Sequence, residues 1–175
     1  GPAEEFLEVV PDSALDAECL IGHSRYSTSS LDYNQPISNS SIAVAHNGVV
    51  SQSPPSEWQQ EFGFRCETAN DSELLLHSWG TPTHPLSFFP EASIGACLLD
   101  GSSLVFFRNG KRPLWYWEGD HYIIVVSARD ILKRVIESDP RKCDPYVEYR
   151  CAGTSLSQYA VEPPDVKRDL QYGSL

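Results

Sequence analysis

Apolar and polar residues alternate in short stretches along most of this chain, and the pattern predicts more strands than helices. In residues 41–50 the alternation predicts a strand that stops at Asn47-Gly48, a pair typical of a tight turn, and resumes at Val49. Period-two stretches bounded by turn residues predict further strands over residues 20–26, 93–99, 103–108, 114–117 and 121–127, and a last hairpin over residues 147–161.

Three segments have the features of helices instead. Residues 56–62 start with a Ser N-cap, and residues 70–73 (NDSE) lead into a leucine-rich run over residues 74–79. Residues 129–138 carry an apolar stripe of Ile131, Val135 and Ile136. The Ser-, Pro- and Thr-rich residues 27–40 and 80–90 predict loops. Two groups of strands with helices between and after them predict an α+β fold with stacked sheets.

The length and net charge of the chain limit its number of domains and the kinds of partner that it can bind. A chain of 175 residues predicts one domain, which we place at residues 1–161, followed by a polar C-terminal tail at residues 162–175. No apolar run approaches the roughly 20 residues that span a bilayer. The net charge of −11 argues against nucleic acid or an anionic membrane surface as a partner.

The cysteines argue for a reduced environment. Their number is odd, no CxxC pair occurs, and their spacings match no zinc pattern. We therefore expect no metal site and an intracellular, cytoplasmic location. Cys97 lies in an apolar run, and we expect it in the core. The chain also has no methionine and begins with Gly1-Pro2, so we expect its natural start to be missing.

Three motifs follow one another in the first half of the chain: GHSRYST at residues 22–28, AHNG at residues 45–48, and NDSE at residues 70–73. This ordered set resembles the class II glutamine amidotransferases, an N-terminal-nucleophile (Ntn) family with GHxRYxT, AHNG and SDxE motifs. Asn70 departs from the family's serine. The RNGKRPL segment at residues 108–114 also resembles the family's turn. The resemblance implies an Ntn-hydrolase-like fold of stacked antiparallel sheets with flanking helices (αββα).

The matched residues suit the recognition of free glutamine. A guanidinium at Arg25 can hold the α-carboxylate in a bidentate manner, with a second contact from the Thr28 hydroxyl. Asp71 can take the α-ammonium group. The Asn47 amide and the Gly48 N–H can stabilise the oxyanion that forms when a thiolate attacks the side-chain amide. The family resemblance implies the same roles.

The two histidines of these motifs have no evident proton-transfer role. We interpret His23 and His46 as packing or hydrogen-bonding residues, and we expect His46, the closer to the pocket, to belong to the substrate-binding group.

The sequence departs from the family at its start. The family's nucleophile is an N-terminal cysteine whose own amino group acts as the base, whereas this chain begins with Gly1 and its first cysteine is Cys19. The family's Arg-Gly-x-Asp-Ser-x-Gly segment and first strand are also missing. Three explanations remain open: the natural start is absent from this chain, the protein is a pseudoenzyme, or an internal cysteine such as Cys19 has taken over.

The leading hypothesis is a domain that binds L-glutamine and hydrolyses its side-chain amide through a cysteinyl thioester, with the nucleophile outside this chain. The ammonia would pass to a synthase domain or to a protein in trans, and no cofactor is expected. The alternative is a catalytically inactive domain of the same fold that acts as a binding or regulatory module.

Overall fold

The computed structural model describes residues 16–24 and 34–164 of the chain. Its strands are β1 (Ile37–Ser38), β2 (Ile42–Val49), β3 (Ser93–Asp100), β4 (Ser103–Arg108), β5 (Trp115–Glu118), β6 (Ile123–Val126), β7 (Arg141–Lys142), β8 (Val147–Ala152) and β9 (Ser155–Ala160). Its helices are α1 (Trp58–Phe62), α2 (Ser72–Trp79), α3 (Pro85–Phe88) and α4 (Arg129–Lys133), and a 3-10 turn at Pro55–Glu57 leads into α1.

These strands form two antiparallel sheets. The larger sheet has the order β1-β2-β3-β4-β8-β9, and the smaller has the order β6-β5-β7. Two-residue turns that begin at Gly101 and Gly153 join β3 to β4 and β8 to β9. Both glycines have φ of 59°, the left-handed conformation that such tight hairpins need.

Alternation of side chains gives the larger sheet two apolar faces. On β4, Val105 and Phe107 join a core with Leu74 and Leu75 of α2, together with Trp58 of α1. The intervening residues Leu104 and Phe106 join a second core with Tyr116 of the smaller sheet and with Leu114, which precedes β5. Helices therefore cover one face of the larger sheet, and the smaller sheet covers the other.

A fourth layer lies beyond the smaller sheet. Leu132 of α4 is fully buried, and α4 packs against β5 and β6. On β5, Tyr116 faces the larger sheet, so its neighbour Trp115 faces the opposite side. The Arg129 guanidinium of α4 lies 5.8 Å from the centre of the Trp115 ring on that side. The order of layers is thus helix, sheet, sheet, helix, and the predicted α+β fold with stacked sheets is confirmed.

Most of the predicted elements are confirmed within a residue or two: the strands over residues 93–99, 103–108, 114–117 and 121–127, the hairpin over residues 147–161, and the helices over residues 56–62 and 74–79. The prediction that a serine caps the first helix is wrong, because a 3-10 turn leads into this helix and no side chain caps it.

Three other predictions are wrong in part. Residues 20–24 contain no strand, and the rest of the predicted strand lies outside the described residues. The predicted loop at residues 80–90 contains α3, which starts at Pro85 and has the His84 ring as its N-cap. The predicted loop at residues 27–40 contains β1, and residues 27–33 are outside the described ranges.

The last predicted helix is only half as long as expected. It ends at Lys133, where the Val135 and Ile136 N–H groups close the final turn on the Leu132 carbonyl. The β-branched pair and the following Ser138-Asp139-Pro140 do not favour a longer helix. Leu132 makes the buried contact of this short helix, whereas Ile131 and Val135 are exposed. None of the helices in residues 16–24 and 34–164 has the length and hydropathy that a membrane crossing requires.

Candidate active site

The AHNG motif lies within β2 and contains no turn. Asn47, Gly48 and Val49 pair with Gly95, Ile94 and Ser93 of β3. The prediction that the strand stops at Asn47-Gly48 is therefore wrong: the neighbouring strand supplies partners on both sides of the pair, and this outweighs the local preference for a turn.

Gly48 is required by a close approach of two strands. Its φ is +145°, and a Cβ atom at this position would lie 1.8 Å from the Ser93 carbonyl oxygen. The Ile94 backbone opposite is bonded to Asn109 on its other side, with an N–H to Oδ1 distance of 3.1 Å and an Asn109 N to Ile94 O distance of 3.0 Å. The ladder between β2 and β3 therefore does not use the Gly48 N–H, which leaves this group for another acceptor.

Asn47 faces a cavity between the two sheets. Alternation along β2 places Asn47 on the same side as Ala45, towards the smaller sheet, and both residues line a cavity of about 550 Å³. The N-terminal segment contributes Gly22, His23 and Ser24 to its wall. A volume of this size suits a small molecule, and polar as well as apolar groups line the cavity.

The apolar part of the cavity wall is formed in part by the smaller sheet. The residues of β6 that line it are Ile123, Ile124, Val125 and Val126, and the other apolar lining residues are Leu20, Ile21, Ala45, Gly95, Cys97, Leu104, Leu114 and Ile131.

His46 holds the backbone around Gly48. Its ring is buried on the helix side of the sheet, where Nδ1 lies 3.2 Å from the Ser72 hydroxyl and Nε2 lies 3.2 Å from the Ser93 carbonyl. Since a carbonyl only accepts, Nε2 carries the proton and Nδ1 accepts from Ser72. Burial lowers the pKa of His46, although the Asp71 carboxylate opposes this effect. His46 therefore acts as a neutral positioning group, and a direct contact with substrate stays a prediction.

Asp71 fixes the chain immediately after Gly48. Its Oδ2 atom accepts hydrogen bonds from the Val50 N–H at 2.5 Å and from the Ser51 N–H at 3.4 Å. The first turn of α2 is capped by Asn70 instead, whose Oδ1 accepts from the Ser72 N–H at 3.0 Å. Among the described residues, no hydrogen bond uses the Asp71 Oδ1 atom. A role for this atom towards a substrate ammonium group stays a prediction.

Glu73 has a role in the site that the sequence analysis did not assign. Its buried carboxylate accepts from the Glu67 N–H at 2.7 Å, from the Thr68 N–H at 2.8 Å and from the Thr68 hydroxyl at 2.6 Å. Burial alone would raise the pKa of Glu73, but these hydrogen bonds hold it below its usual range. Glu73 thus anchors the segment that leads to Asn70 and Asp71. The position of Glu73 in the NDSE motif was the feature of the sequence that could have indicated this role, because that motif was interpreted only as a helix start.

The RNGKRPL turn supports the same region. The buried Arg108 guanidinium donates to the Cys143 carbonyl at 2.6 Å and to the Arg112 carbonyl at 3.0 Å. Asn109 donates to the Ala92 carbonyl at 2.8 Å, next to Ser93. A Cβ on Gly95 would lie 3.2 Å from the Pro113 carbonyl oxygen. The turn therefore packs tightly over the end of β3 that faces Asn47 and Gly48.

Of three comparisons with known proteins, only the one with solved structures found similar proteins. No family model matches the chain, and no curated protein matches it. Among solved structures, the allosteric regulatory enzyme of purine biosynthesis is similar, with a TM-score of 0.63 and 21% identity over 79% of this chain and 34% of that one. Glutamine phosphoribosylpyrophosphate amidotransferase from B. subtilis, solved with ADP and GMP, has a TM-score of 0.60 and 20% identity over the same shares.

A third structure is of comparable length. It is a glutamine aminotransferase class-II domain protein from Silicibacter pomeroyi, with a TM-score of 0.54 and 15% identity over 74% of this chain and 72% of that one. The fold of this chain is that of a class II glutamine amidotransferase domain. At these identities the similarity shows the fold alone, and the chain spans about a third of the first two proteins.

Two of the residues matched to the amidotransferase motifs lie outside the described part of the chain. Arg25 and Thr28 fall within residues 25–33. Ser24, the residue before Arg25, lines the cavity beside Asn47. The expected contacts of Arg25 and Thr28 with a carboxylate stay predictions.

The cysteines of this amidotransferase-like domain do not resemble activated nucleophiles. Burial raises the pKa of every one of the five thiols, including Cys19, Cys143 and Cys151. The pKa of Cys66 rises to about 11, and that of Cys97, which lines the cavity, rises to about 12. A nucleophilic cysteine requires the opposite shift, because the thiolate is the reactive form.

Proposed function

We propose that this domain binds L-glutamine in the cavity between the sheets and hydrolyses its side-chain amide to supply ammonia. The observation that carries the proposal is the position of Asn47 and Gly48: a side-chain amide on the cavity wall stands beside a backbone N–H that the β2–β3 ladder does not use. Two such donors are what the oxyanion of an acyl-transfer reaction requires.

The reaction would proceed through a covalent intermediate. A cysteine thiolate attacks the amide carbon, and the carbonyl π electrons move to the oxygen, where Asn47 and Gly48 hold the negative charge. Collapse of this tetrahedral intermediate expels ammonia, protonated as it leaves, and forms a thioester. Water then hydrolyses the thioester to glutamate and restores the thiol.

Recognition of the amino-acid end would fall to three other residues. Arg25 would pair with the α-carboxylate, Thr28 would donate its hydroxyl to the same group, and Asp71 would accept from the α-ammonium through its Oδ1 atom. Asp71 is well suited to this role because its other oxygen is already fixed by the Val50 N–H.

The nucleophile would come from a segment outside this chain that pairs with β6. On one edge β6 pairs with β5, and no strand within the described residues pairs with its other edge. All four residues of β6 line the cavity, and all are only half-buried. A strand added along this edge would complete the smaller sheet and would place a residue at the cavity, near Asn47.

The ammonia acceptor would be a synthase domain or a separate protein. Support for this part is indirect: a structural neighbour is an amidotransferase of which this chain covers only 34%. Five free cysteines, two of them buried, favour a cytoplasmic location.

The native protein tests this proposal through its N-terminus and its reaction. We expect intact mass and N-terminal sequencing to reveal a cysteine as the first residue, and we expect a glutamine analogue that alkylates N-terminal cysteines to label it once per chain. The protein should release ammonia from L-glutamine. A native start without cysteine, together with glutamine binding but no ammonia release, would instead establish the inactive binding module. Absence of both binding and release would overturn both functions.

A further inference from the structure

Three side chains with metal-binding atoms meet away from the cavity, beside α2. They are Cys66, Glu73 and His77, and the Sγ atom, a carboxylate oxygen and a ring nitrogen all lie within 4.8 Å of one another. Glu73 and His77 are one turn apart on α2, whereas Cys66 belongs to the segment between α1 and α2. The cluster therefore joins two separate parts of the chain.

The distances suit a tetrahedral ion. The His77 Nε2 atom lies 3.3 Å from the Glu73 Oε1 atom. Two neighbouring ligands with zinc bonds of about 2.0–2.1 Å are roughly 3.3 Å apart in a tetrahedron. A sulfur ligand would lie roughly 3.5 Å from each of them, so the Cys66 Sγ atom would have little more than about 1 Å to move.

Glu73 is oriented as a ligand before any ion is present. Its Oε2 atom accepts two hydrogen bonds from Thr68, which use both lone pairs of that oxygen. Its Oε1 atom accepts from the Glu67 N–H and retains one lone pair on the side of His77. Fixed carboxylates of this kind are typical of metal sites, where outer hydrogen bonds orient the ligand.

We propose that Cys66, Glu73 and His77 bind a zinc ion. A sulfur, a carboxylate oxygen and an imidazole nitrogen are ligands that Zn²⁺ accepts together. The thiolate and the carboxylate balance the two positive charges of the ion, and the thiol proton leaves to solvent on binding. Cys66 and His77 are only half-buried, so water can supply the fourth ligand.

The ion would tie the segment around Cys66 to α2. The same helix follows Asp71, which holds the end of β2, and contains Ser72, which bonds to His46. The zinc site would therefore stabilise the support of the active site without contributing to the chemistry. It goes beyond the proposed hydrolysis of glutamine and does not depend on it.

Titration of the chelator-treated full-length protein with Co²⁺ as a spectroscopic probe tests the site directly. We expect one equivalent to bind with the visible bands of a four-coordinate ion and a sulfur-to-cobalt charge-transfer band, and Zn²⁺ to displace it. Cys66→Ser should abolish the charge-transfer band. Cys66→Ser and His77→Gln should each weaken Zn²⁺ binding by at least about tenfold, since even outer-shell changes have effects of that size. The matched variants Cys19→Ser and His121→Gln should bind as the wild type does.

A second measurement needs no variant. Zn²⁺ should slow the alkylation of Cys66 in the folded wild-type protein by about tenfold or more and leave Cys19 unaffected, as read by peptide mass spectrometry. The proposal is overturned if no sulfur-to-cobalt band forms, if Cys66→Ser binds Zn²⁺ as tightly as the wild type, or if Zn²⁺ leaves the alkylation of Cys66 unchanged. The Glu73–His77 contact would then be only an ion pair within α2.

Discussion

At the scale of single residues, Gly48 has the strictest requirement in the site. The sequence predicted a glycine for a turn, whereas the structure requires one because Ser93 lies against it. The motif therefore marked an important glycine, but the predicted turn was wrong. Residues 45–48 alone contain no information about the position of β3. A glycine in an AHNG motif is equally consistent with a turn and with a close approach of two strands.

Gly48→Ala is expected to destabilise the fold severely. A Cβ at 1.8 Å from a carbonyl oxygen forces β2 and β3 apart, and the φ of +145° disfavours any side chain. We expect a loss of about 3 kcal/mol or more in the free energy of unfolding, measured in urea. Gly153→Ala is the matched control: its φ is 59° with nothing within 4 Å of the added Cβ, so it should lose only about 1 kcal/mol. Equal losses in the two variants would refute the close approach.

His46 is expected to make stability depend on pH. Because burial lowers the pKa of His46 below the ordinary 6.5, the unfolded chain binds a proton at a pH where the folded chain does not. The contribution of His46 is thus fully present above about pH 6.5 and is lost as the pH falls towards the folded-state pKa. His46→Gln cannot titrate, so its unfolding free energy should fall less than that of the wild type between pH 7 and pH 5. The exposed His121→Gln should behave as the wild type does, and parallel curves for all three proteins would contradict the buried neutral ring.

At the scale of secondary structure, elements bounded by turn chemistry could be predicted from sequence. The prediction for β4 is correct at both ends, because Asp100-Gly101 and Asn109-Gly110 delimit it. Where tertiary contacts decide, the prediction was wrong: Leu132, and not the predicted stripe of Ile131 and Val135, packs against the smaller sheet. Residue periodicity alone does not reveal which face of a short helix will be covered.

The segment before α2 depends on one carboxylate. Glu73→Gln keeps the size of the side chain but removes the charge that accepts from the Glu67 and Thr68 N–H groups. We expect a loss of about 2 kcal/mol at pH 7, measured by urea unfolding, because charge-assisted bonds to a buried group are lost. Since the pKa of Glu73 is lowered, this difference should shrink as the pH falls below the ordinary 4.5. The exposed Glu61→Gln should leave stability unchanged, and a similarly small effect of Glu73→Gln would contradict the anchoring role.

At the scale of the whole molecule, the ordered motifs predicted the fold although no family model matches the chain. The physical reason is that these motifs converge in space: His46 bonds to Ser72, and Asp71 bonds to Val50, although α2 lies far along the chain from β2. The proposed zinc site could not be predicted in this way, because Cys66, Glu73 and His77 follow no known zinc spacing.

The completeness of the reaction centre is also a property of the whole molecule. Asn47, one of the two donors proposed for the oxyanion, lines the cavity, whereas burial raises the pKa of all five cysteine thiols of this chain. We therefore propose glutamine binding for the motifs of this chain and the attack on the amide for a residue of a segment that pairs with β6.

Calorimetric titration of the full-length protein with L-glutamine tests the proposed binding site. We expect binding of one glutamine per chain, loss of measurable binding in Arg25→Ala, and unchanged binding in the control Arg65→Ala, whose exposed side chain lies outside the cavity. Binding should be lost in Arg25→Ala whether or not the protein is catalytically active, since the guanidinium recognises the carboxylate of the ligand. Binding of L-glutamine by Arg25→Ala with wild-type affinity, or no binding by the wild type, would contradict the assignment of the cavity.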